Sequence, residues 1–394
     1  MAERRVAVTG IGVVAPCGIG RDAFWAGLQR APEPDGERRV DDFDPTPWFE
    51  NRKEARRTDR FAQFALAAAA MALEQSGEPT VDPGRRGVII GTGVGGLNTL
   101  EEQIRVFHDK GPDRVSPFLV PMMMSNAAAA AVSMRYGWQG PCETTVTACA
   151  AGTHSIGNAA HLVRSGRCDV VLAGGTESAL TPTGVQGFRN MTALSTSGWS
   201  RPFDVRRDGF VMAEAAAVLV LEELGSARAR GATILGEVMG SASTADAHHI
   251  TAPAPGGSGA VSCMELAIAD AGLKAADIVH INAHGTSTPL NDAAEADAIA
   301  KVFGLPGPVV TSTKGVTGHA LGAAGAIEAA AVLLSIEHRE IPPTIGHEQP
   351  DPDMAAIDLV VGAARPWEPG PSLSNSFGFG GHNGTLVIGP PPAD

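Results

Sequence analysis

The stretch Thr144 to Gly152, Thr-Thr-Val-Thr-Ala-Cys-Ala-Ala-Gly, joins a β-branched run to a cysteine among small residues. The pattern predicts a buried strand that turns into a helix at Cys149, with the helix running over about 153–163. Unpaired N–H groups at a helix N-terminus stabilise negative charge, so the expectation is a thiolate with a lowered pKa. Ala148, Ala150, Ala151 and Gly152 leave room for a substrate to reach the sulfur. The alternative is a buried structural thiol, because free cysteine is among the most buried residue types. The partners that a reactive thiol needs decide between the two.

Three later segments supply such partners: Asn282 to Pro289 with His284, Thr286 and Thr288; Thr311 to Ala320 with Lys314 and His319; and Ser374 to Asn383 with Asn375 and Phe379 in a glycine-rich run. Each follows a predicted strand, where α/β sheets place their ligand sites. Two histidines, a lysine and a helix-capping cysteine meet the needs of a nucleophile, proton donors and an oxyanion stabiliser. A further run, Gly91-Thr-Gly-Val-Gly-Gly96, has the form of a dinucleotide-binding turn. It lacks the acidic residue on a following strand, so it reads as a tight turn with close helix–strand packing.

The elements that must position these residues alternate between strands and helices. Strands are predicted at Arg5 to Pro16, Arg86 to Ile90, Asp169 to Ala173, Ala215 to Leu221, near Gly236, Asp277 to Ala283, Val309 to Thr313, Leu359 to Val361 and Gly384 to Ile388. Helices are predicted at Asn51 to Ser76, Asn98 to His108, within Ser116 to Met134, and at Gly259 to Ala271, Asp292 to Phe303 and Leu321 to Ile336. Residues 31–47 read as a surface loop. The rhythm predicts α/β layers with largely parallel sheets, in two similar halves, 1–235 and 236–394.

Composition bounds the function. A chain of 394 residues buries a large core. The net charge of −13 argues against nucleic acid as a partner. Five cysteines, Cys17, Cys142, Cys149, Cys168 and Cys263, lack a Cys-x-x-Cys pair, so neither a disulfide framework nor a zinc site is expected. The first residues enter a strand without a long apolar signal region. No membrane span is expected, the richest apolar stretch being Phe61 to Leu73, and the expected location is cytoplasmic.

Together these motifs identify a resemblance. The chain resembles the β-ketoacyl-acyl-carrier-protein synthases, closest to the synthase II group and the related polyketide ketosynthases. The resemblance runs from Val6-Ala-Val-Thr-Gly-Ile-Gly to Asn383-Gly-Thr-Leu, through Thr147 to Gly152, Asp169 to Glu177, Arg201-Pro-Phe-Asp204, Arg207 to Phe210, His284 to Pro289, Lys314 to His319 and Asn375 to Gly381. It implies a thiolase fold, duplicated βαβ halves in a five-layer α-β-α-β-α sandwich. It implies that Cys149 takes an acyl group from a carrier protein's phosphopantetheine. Cys149 and Phe379 N–H groups would hold the oxyanion, and His284 and His319 would donate to the enolate formed when malonyl-carrier protein loses carbon dioxide. Lys314 would position the histidines, with Glu328 as its countercharge. Thr286 and Thr288 match pantetheine-binding positions, and Phe379 matches a gate. Val94 and Met122, Met123 and Met124 would line the acyl pocket. No redox or organic cofactor is implied, and relatives hold a structural monovalent cation near Asn282, Glu328, Ser374 and Asn375.

The partners implied are acyl and malonyl forms of the acyl carrier protein, and a dimer. The dimer is either a homodimer or a heterodimer with a chain-length-factor-type subunit. Carrier proteins are acidic, as this chain is, so docking requires a local basic patch, for which Lys53, Arg56, Arg57 and Arg114 are the candidates. Asp113 and Thr192 stand where the family often has basic residues, and Ala150-Ala151 and Met212 to Ala215 also depart from its pattern. A thiolase would need a second catalytic cysteine near the C-terminus, and no cysteine follows Cys263. A non-catalytic chain-length-factor subunit would lack the nucleophile, whereas Cys149 is present.

Overall fold

A computed structural model describes residues 4–33 and 36–393; the sequence expectations for Met1 to Glu3, and for two residues of the 31–47 loop, lie outside them. Two units of five main strands form the framework, to which the short strands Gly18–Ile19 and Asp358–Leu359 add. The first contains β1 (Val6–Ala15), β2 (Arg86–Gly91), β3 (Cys142–Glu143), β4 (Val170–Glu177) and β5 (Ala215–Glu223). The second contains β6 (Gly236–Ala245), β7 (His280–Asn282), β8 (Val309–Thr311), β9 (Ser372–Gly378) and β10 (His382–Gly389). In both units the strands lie in the spatial order first, fifth, fourth, second, third. The first pairs antiparallel with the fifth, and the fifth antiparallel with the fourth. The fourth pairs parallel with the second, and the second with the third. The shared order is a duplication of architecture that residue identity does not display. It also corrects the expectation of largely parallel sheets, since each unit mixes both pairings.

A short β1–β6 pairing, Ala7 with Glu237 and Val8 with Gly236, runs the two units into one sheet path. Helices fill the layers. Those labelled here are α1 (Arg60–Ser76), α2 (Ala127–Tyr136), α3 (Ala151–Arg164), α4 (Ser258–Asp270), α5 (Pro289–Phe303) and α6 (Ala324–His338). Helices α1 and α2 cover the outer face of the first unit, α3 and α6 lie between the units and touch strands of both, and α4 covers the outer face of the second with α5 packed on it. This is a five-layer α-β-α-β-α sandwich. The Ala-rich face of α1 approaches β1 closely because β1 carries glycines: a Cβ on Gly12 would lie 1.9 Å from the Ala68 carbonyl oxygen.

Local chemistry accounts for the other departures. The predicted helix over 51–76 is two helices, because it holds two N-caps: Asn51 accepts the N–H groups of Lys53 and Glu54, and Asp59 accepts that of Phe61. Strand β9 escaped prediction because its Ser-Asn-Ser run is polar, yet all of Ser372 to Ser376 is buried. The most membrane-like stretch is Leu321–His338 and not the predicted Phe61 to Leu73; it is long and apolar enough to span, but 89% of it is buried inside the protein. It is the central core helix with its first turn, and it carries Glu328.

Candidate active site

The nucleophile turn differs from expectation. Residues 144–147 form no strand, and β3 ends at Glu143 with both residues exposed. Cys149 sits in a single 3-10 turn, Ala148–Ala150, that runs into α3. The sharp feature is Ala148, at φ 50°, in the left-handed region that L-residues rarely occupy. At this twist the chain enters the helix with the sulfur facing a cavity.

That cavity, about 1040 Å³, is where the three sequence segments meet. Its lining includes Val94, Cys149, His284, Thr286, Thr288, His319 and Phe379. Ligating atoms of Cys149, His284 and His319 lie within 4.8 Å of one another. His319 Nε2 is 3.0 Å from Cys149 Sγ. The two imidazoles stand edge to face, with ring centres 5.3 Å apart. Phe210 packs edge-on against His319, and Phe377 against His284. The His319 backbone is bridged to Met212 through the Val211 carbonyl and the Ala213 N–H. This gives the unusual Met212 to Ala215 stretch a positioning role.

Lys314 lies behind His284, fully buried. Its ammonium donates to the His284 carbonyl oxygen at 2.6 Å and to His284 Nδ1 at 3.2 Å, and it pairs closely with Glu328. An ammonium has no lone pair, so Nδ1 must accept. The His284 proton therefore sits on Nε2. Glu295, which sequence reasoning missed, receives the backbone N–H groups of His284 and Gly285, each at 2.8 Å. It lies on α5 and fixes the loop from the other side. A carboxylate six residues beyond Pro289 gave no local signal of this contact.

Burial governs the protonation states. It pushes the Cys149 thiol up to about 11, against the opposing pull of the Phe379 N–H, the Lys314 charge and the Cys149 N–H. The lowered thiol pKa expected from the helix N-terminus is thus overturned: desolvation outweighs the dipole. Burial also holds both histidines well below the usual imidazole range, and the Lys314 charge adds to this. The resting site is a neutral thiol beside two neutral imidazoles. Burial raises Glu328 and Glu295 to about 7, with Lys314 opposing in each case.

The backbone N–H groups of Phe379 and Cys149 both favour the ionised thiol, without offsetting its burial. The Phe379 loop reaches this close because of Gly378, where a Cβ would stand 3.0 Å from the Cys149 nitrogen. Thr286 and Thr288 hydroxyls lie 2.9 Å apart on the cavity wall. The Gly91 to Gly96 run packs as the tight-turn reading expects: a Cβ on Gly91 would lie 2.5 Å from the Ala151 carbonyl oxygen.

Met122, Met123 and Met124 do not line the cavity. They lie on the short helix Leu119–Met123 and just after it, where the backbone of Met122 and Met123 covers Gly96 and Met124 is exposed. For a cation, the buried oxygens Asn282 Oδ1, Ser374 Oγ and Glu328 Oε2 have no hydrogen-bond partner among the described residues. Asn282 and Ser374 are register partners on neighbouring strands. Three unsatisfied hard oxygens fit a monovalent cation. Asn375 does not join them by its side chain: it points to the opposite face of β9, where its Oδ1 accepts from Thr385. Lys53, Arg56, Arg57 and Arg114 are exposed, and none lines the cavity. The Arg57 guanidinium lies 4.2 Å over the ring of Phe118, four residues beyond Arg114, which brings the two basic segments together.

A raised thiol pKa leaves Cys149 protonated at neutral pH, so its alkylation by iodoacetamide should keep rising with pH up to about pH 10, by roughly tenfold per unit. Peptide mass spectrometry separates Cys149 from exposed Cys142. A plateau near pH 7 would contradict the buried-thiol assignment.

The chain is similar to known proteins along nearly its whole length. Residues 35–227 match the model of the β-ketoacyl synthase N-terminal domain, and residues 235–348 that of its C-terminal domain. A 3-oxoacyl-[acyl-carrier-protein] synthase 2 of Synechocystis sp. is 45% identical, over 98% of each chain. Among solved structures, a chain of the ishigamide ketosynthase/chain length factor superposes with a TM-score of 0.91 at 34% identity, covering 99% of this chain and 100% of that one. A chain from a type II polyketide acyl-carrier protein in complex with its hexaketide-bound ketosynthase gives 0.88 at 33%, with the same coverage. With a buried Cys-His-His constellation at the meeting point of two matched domains, the chain belongs to the β-ketoacyl synthase family.

Proposed function

We propose that the protein is a β-ketoacyl-acyl-carrier-protein synthase. It moves an acyl group onto Cys149 and extends it by two carbons through decarboxylative condensation with malonyl-carrier protein. The observation that carries this reading is the convergence of Cys149, His284 and His319 in one cavity, with Lys314 fixing the tautomer of His284. In the first half-reaction Cys149 Sγ attacks the acyl thioester while His319 Nε2, 3.0 Å away, takes its proton. The Cys149 and Phe379 N–H groups hold the oxyanion. The departing pantetheine thiolate recovers the proton from His319, leaving acyl-Cys149.

In the second half-reaction malonyl-carrier protein loses carbon dioxide, and the electrons of the broken C–C bond form an enolate. His284 donates to the enolate oxygen from Nε2. His319 Nδ1 has no hydrogen-bond partner among the described residues, so no contact locks its tautomer. The same Nε2 that accepts from the thiol can then donate to the enolate. The enolate carbon attacks acyl-Cys149, and the released thiolate regains a proton.

Thr286 and Thr288 hold the phosphopantetheine arm, which arrives on the carrier protein; the enzyme itself uses no organic cofactor. Val94 contributes to the acyl pocket, and Phe379 gates it on a loop hinged at Gly380 and Gly381, both at positive φ. A monovalent cation at Asn282, Ser374 and Glu328 would balance the buried carboxylate charge. The division at 235/236 separates a nucleophile half from a histidine–lysine half. The location is cytoplasmic, consistent with five free cysteines. The 45% identity to a synthase 2 over nearly the whole chain supports fatty-acid elongation, which we assign to a homodimer. The close superposition on a ketosynthase/chain length factor chain favours, as second reading, the active half of a heterodimer in polyketide synthesis.

Intact mass after mixing with an acyl-carrier protein tests the reaction. The wild type should gain the acyl group, Cys149→Ala should not, and malonyl-carrier protein should release a product two carbons longer. No adduct at any chain length, with or without a chain-length-factor subunit, would sink the proposal. Docking is tested separately. Reversing charge at Lys53, Arg56 and Arg57 together should raise KM for the carrier at least about tenfold at low salt, with kcat retained. An unchanged KM would remove the basic patch from the docking face.

A further inference from the structure

We propose that His154 is a positioning residue for the nucleophile: its ring ties the turn that carries Cys149 to the strand that follows the Phe379 loop. The inference rests on Cys149 being the nucleophile, as above. His154 lies in the first turn of α3, buried, and is not part of the cavity lining. Its Nδ1 is 2.8 Å from Thr147 Oγ1, and its Nε2 is 3.0 Å from the Asn383 carbonyl oxygen.

A carbonyl oxygen only accepts, so Nε2 carries a proton. Burial holds the ring below the usual imidazole range, with His382 adding to this. The neutral ring then has a bare Nδ1, and the Thr147 hydroxyl must donate to it. One tautomer satisfies both contacts. Thr147 directly precedes Ala148, the residue at φ 50°. Such a conformation is costly for an L-residue and persists only where the surroundings hold it. The Thr147–His154 bond spans that residue and the nucleophile together.

The other end of the ring reaches the gate. Asn383 follows Gly380 and Gly381 on β10, and its side-chain amide donates to Asp246 Oδ1 at 2.7 Å. Asp246 in turn donates its backbone N–H to the Gly381 carbonyl. The ring is clamped against the strand, because a Cβ on Gly384 would stand 2.9 Å from it. His154 thus sets the Cys149 turn against the hairpin whose Phe379 N–H completes the oxyanion site.

The test separates the two ring nitrogens. Thr147→Val keeps the shape and removes the hydroxyl. In His154→Asn the side-chain oxygen replaces Nδ1, and in His154→Gln the amide replaces Nε2–H. Single-turnover acyl transfer to Cys149, followed by intact mass, should slow by about 10- to 100-fold in Thr147→Val and His154→Gln. His154→Asn, which keeps the Thr147 contact but releases the Asn383 carbonyl, should slow as well, with KM for the acyl-carrier protein unchanged in all three variants. The double variant Thr147→Val with His154→Gln should be no slower than the slower single. A wild-type rate in Thr147→Val, or losses that multiply in the double variant, would overturn the role. If the wild type itself takes no acyl group, the functional reading falls. Iodoacetamide alkylation of Cys149 in the same variants then decides the role of His154, and equal rates in wild type and Thr147→Val overturn it.

Discussion

The buried Lys314–Glu328 pair is the contact on which the site depends. Both side chains are withdrawn from water. Removing one partner of such a pair typically costs about 3–5 kcal/mol, because the other is left buried and uncompensated. A stable core could be built more simply from apolar residues, so the pair calls for a reason beyond stability. The geometry provides one. The ammonium is held where it donates to both the carbonyl oxygen and Nδ1 of His284, and it thereby places the imidazole proton at Nε2. A positive charge beside two buried rings also keeps them neutral at physiological pH, which preserves them as donors and, in His319, as an acceptor.

The duplicated architecture explains how these parts come together. In each unit the loops that carry the reactive residues follow strands. Packed through α3 and α6, the two units turn those loops toward each other. The first unit delivers Cys149 at the start of α3, and the second delivers His284, Lys314, His319 and Phe379. Glu328, on α6, lies in the layer shared by both. The reacting groups are therefore drawn from both halves, and the closeness that His319 and Cys149 need is set by how tightly those halves pack.

Much of this was legible in the chain. Residues with unusual chemistry stood in glycine-rich loops after strands; their types pointed to a nucleophile and donors, and the family resemblance supplied the Lys314–Glu328 pair. What escaped depends on depth and on long-range contacts. Thr144 to Thr147 has strand propensity, but the strand pairing ends at Glu143. The dipole argument for a thiolate was sound locally and lost to desolvation, which no nine-residue window reveals. The family resemblance put Met122 to Met124 on the pocket wall, yet their helix lies over Gly96. Asn375 carried the right atoms for a cation on the wrong face of its strand. Glu295 and His154 gave no local signal, because their partners are backbone groups and a hydroxyl fixed by the fold.

The central claim is a protonation pattern, and it can be observed directly. With histidine labelled with nitrogen-15, NMR reports which ring nitrogen of His284 bears the proton. The account predicts a neutral His284 at pH 7 with the proton on Nε2 and Nδ1 accepting from Lys314, a pattern lost in Lys314→Met. An imidazolium, or a proton on Nδ1, would contradict it.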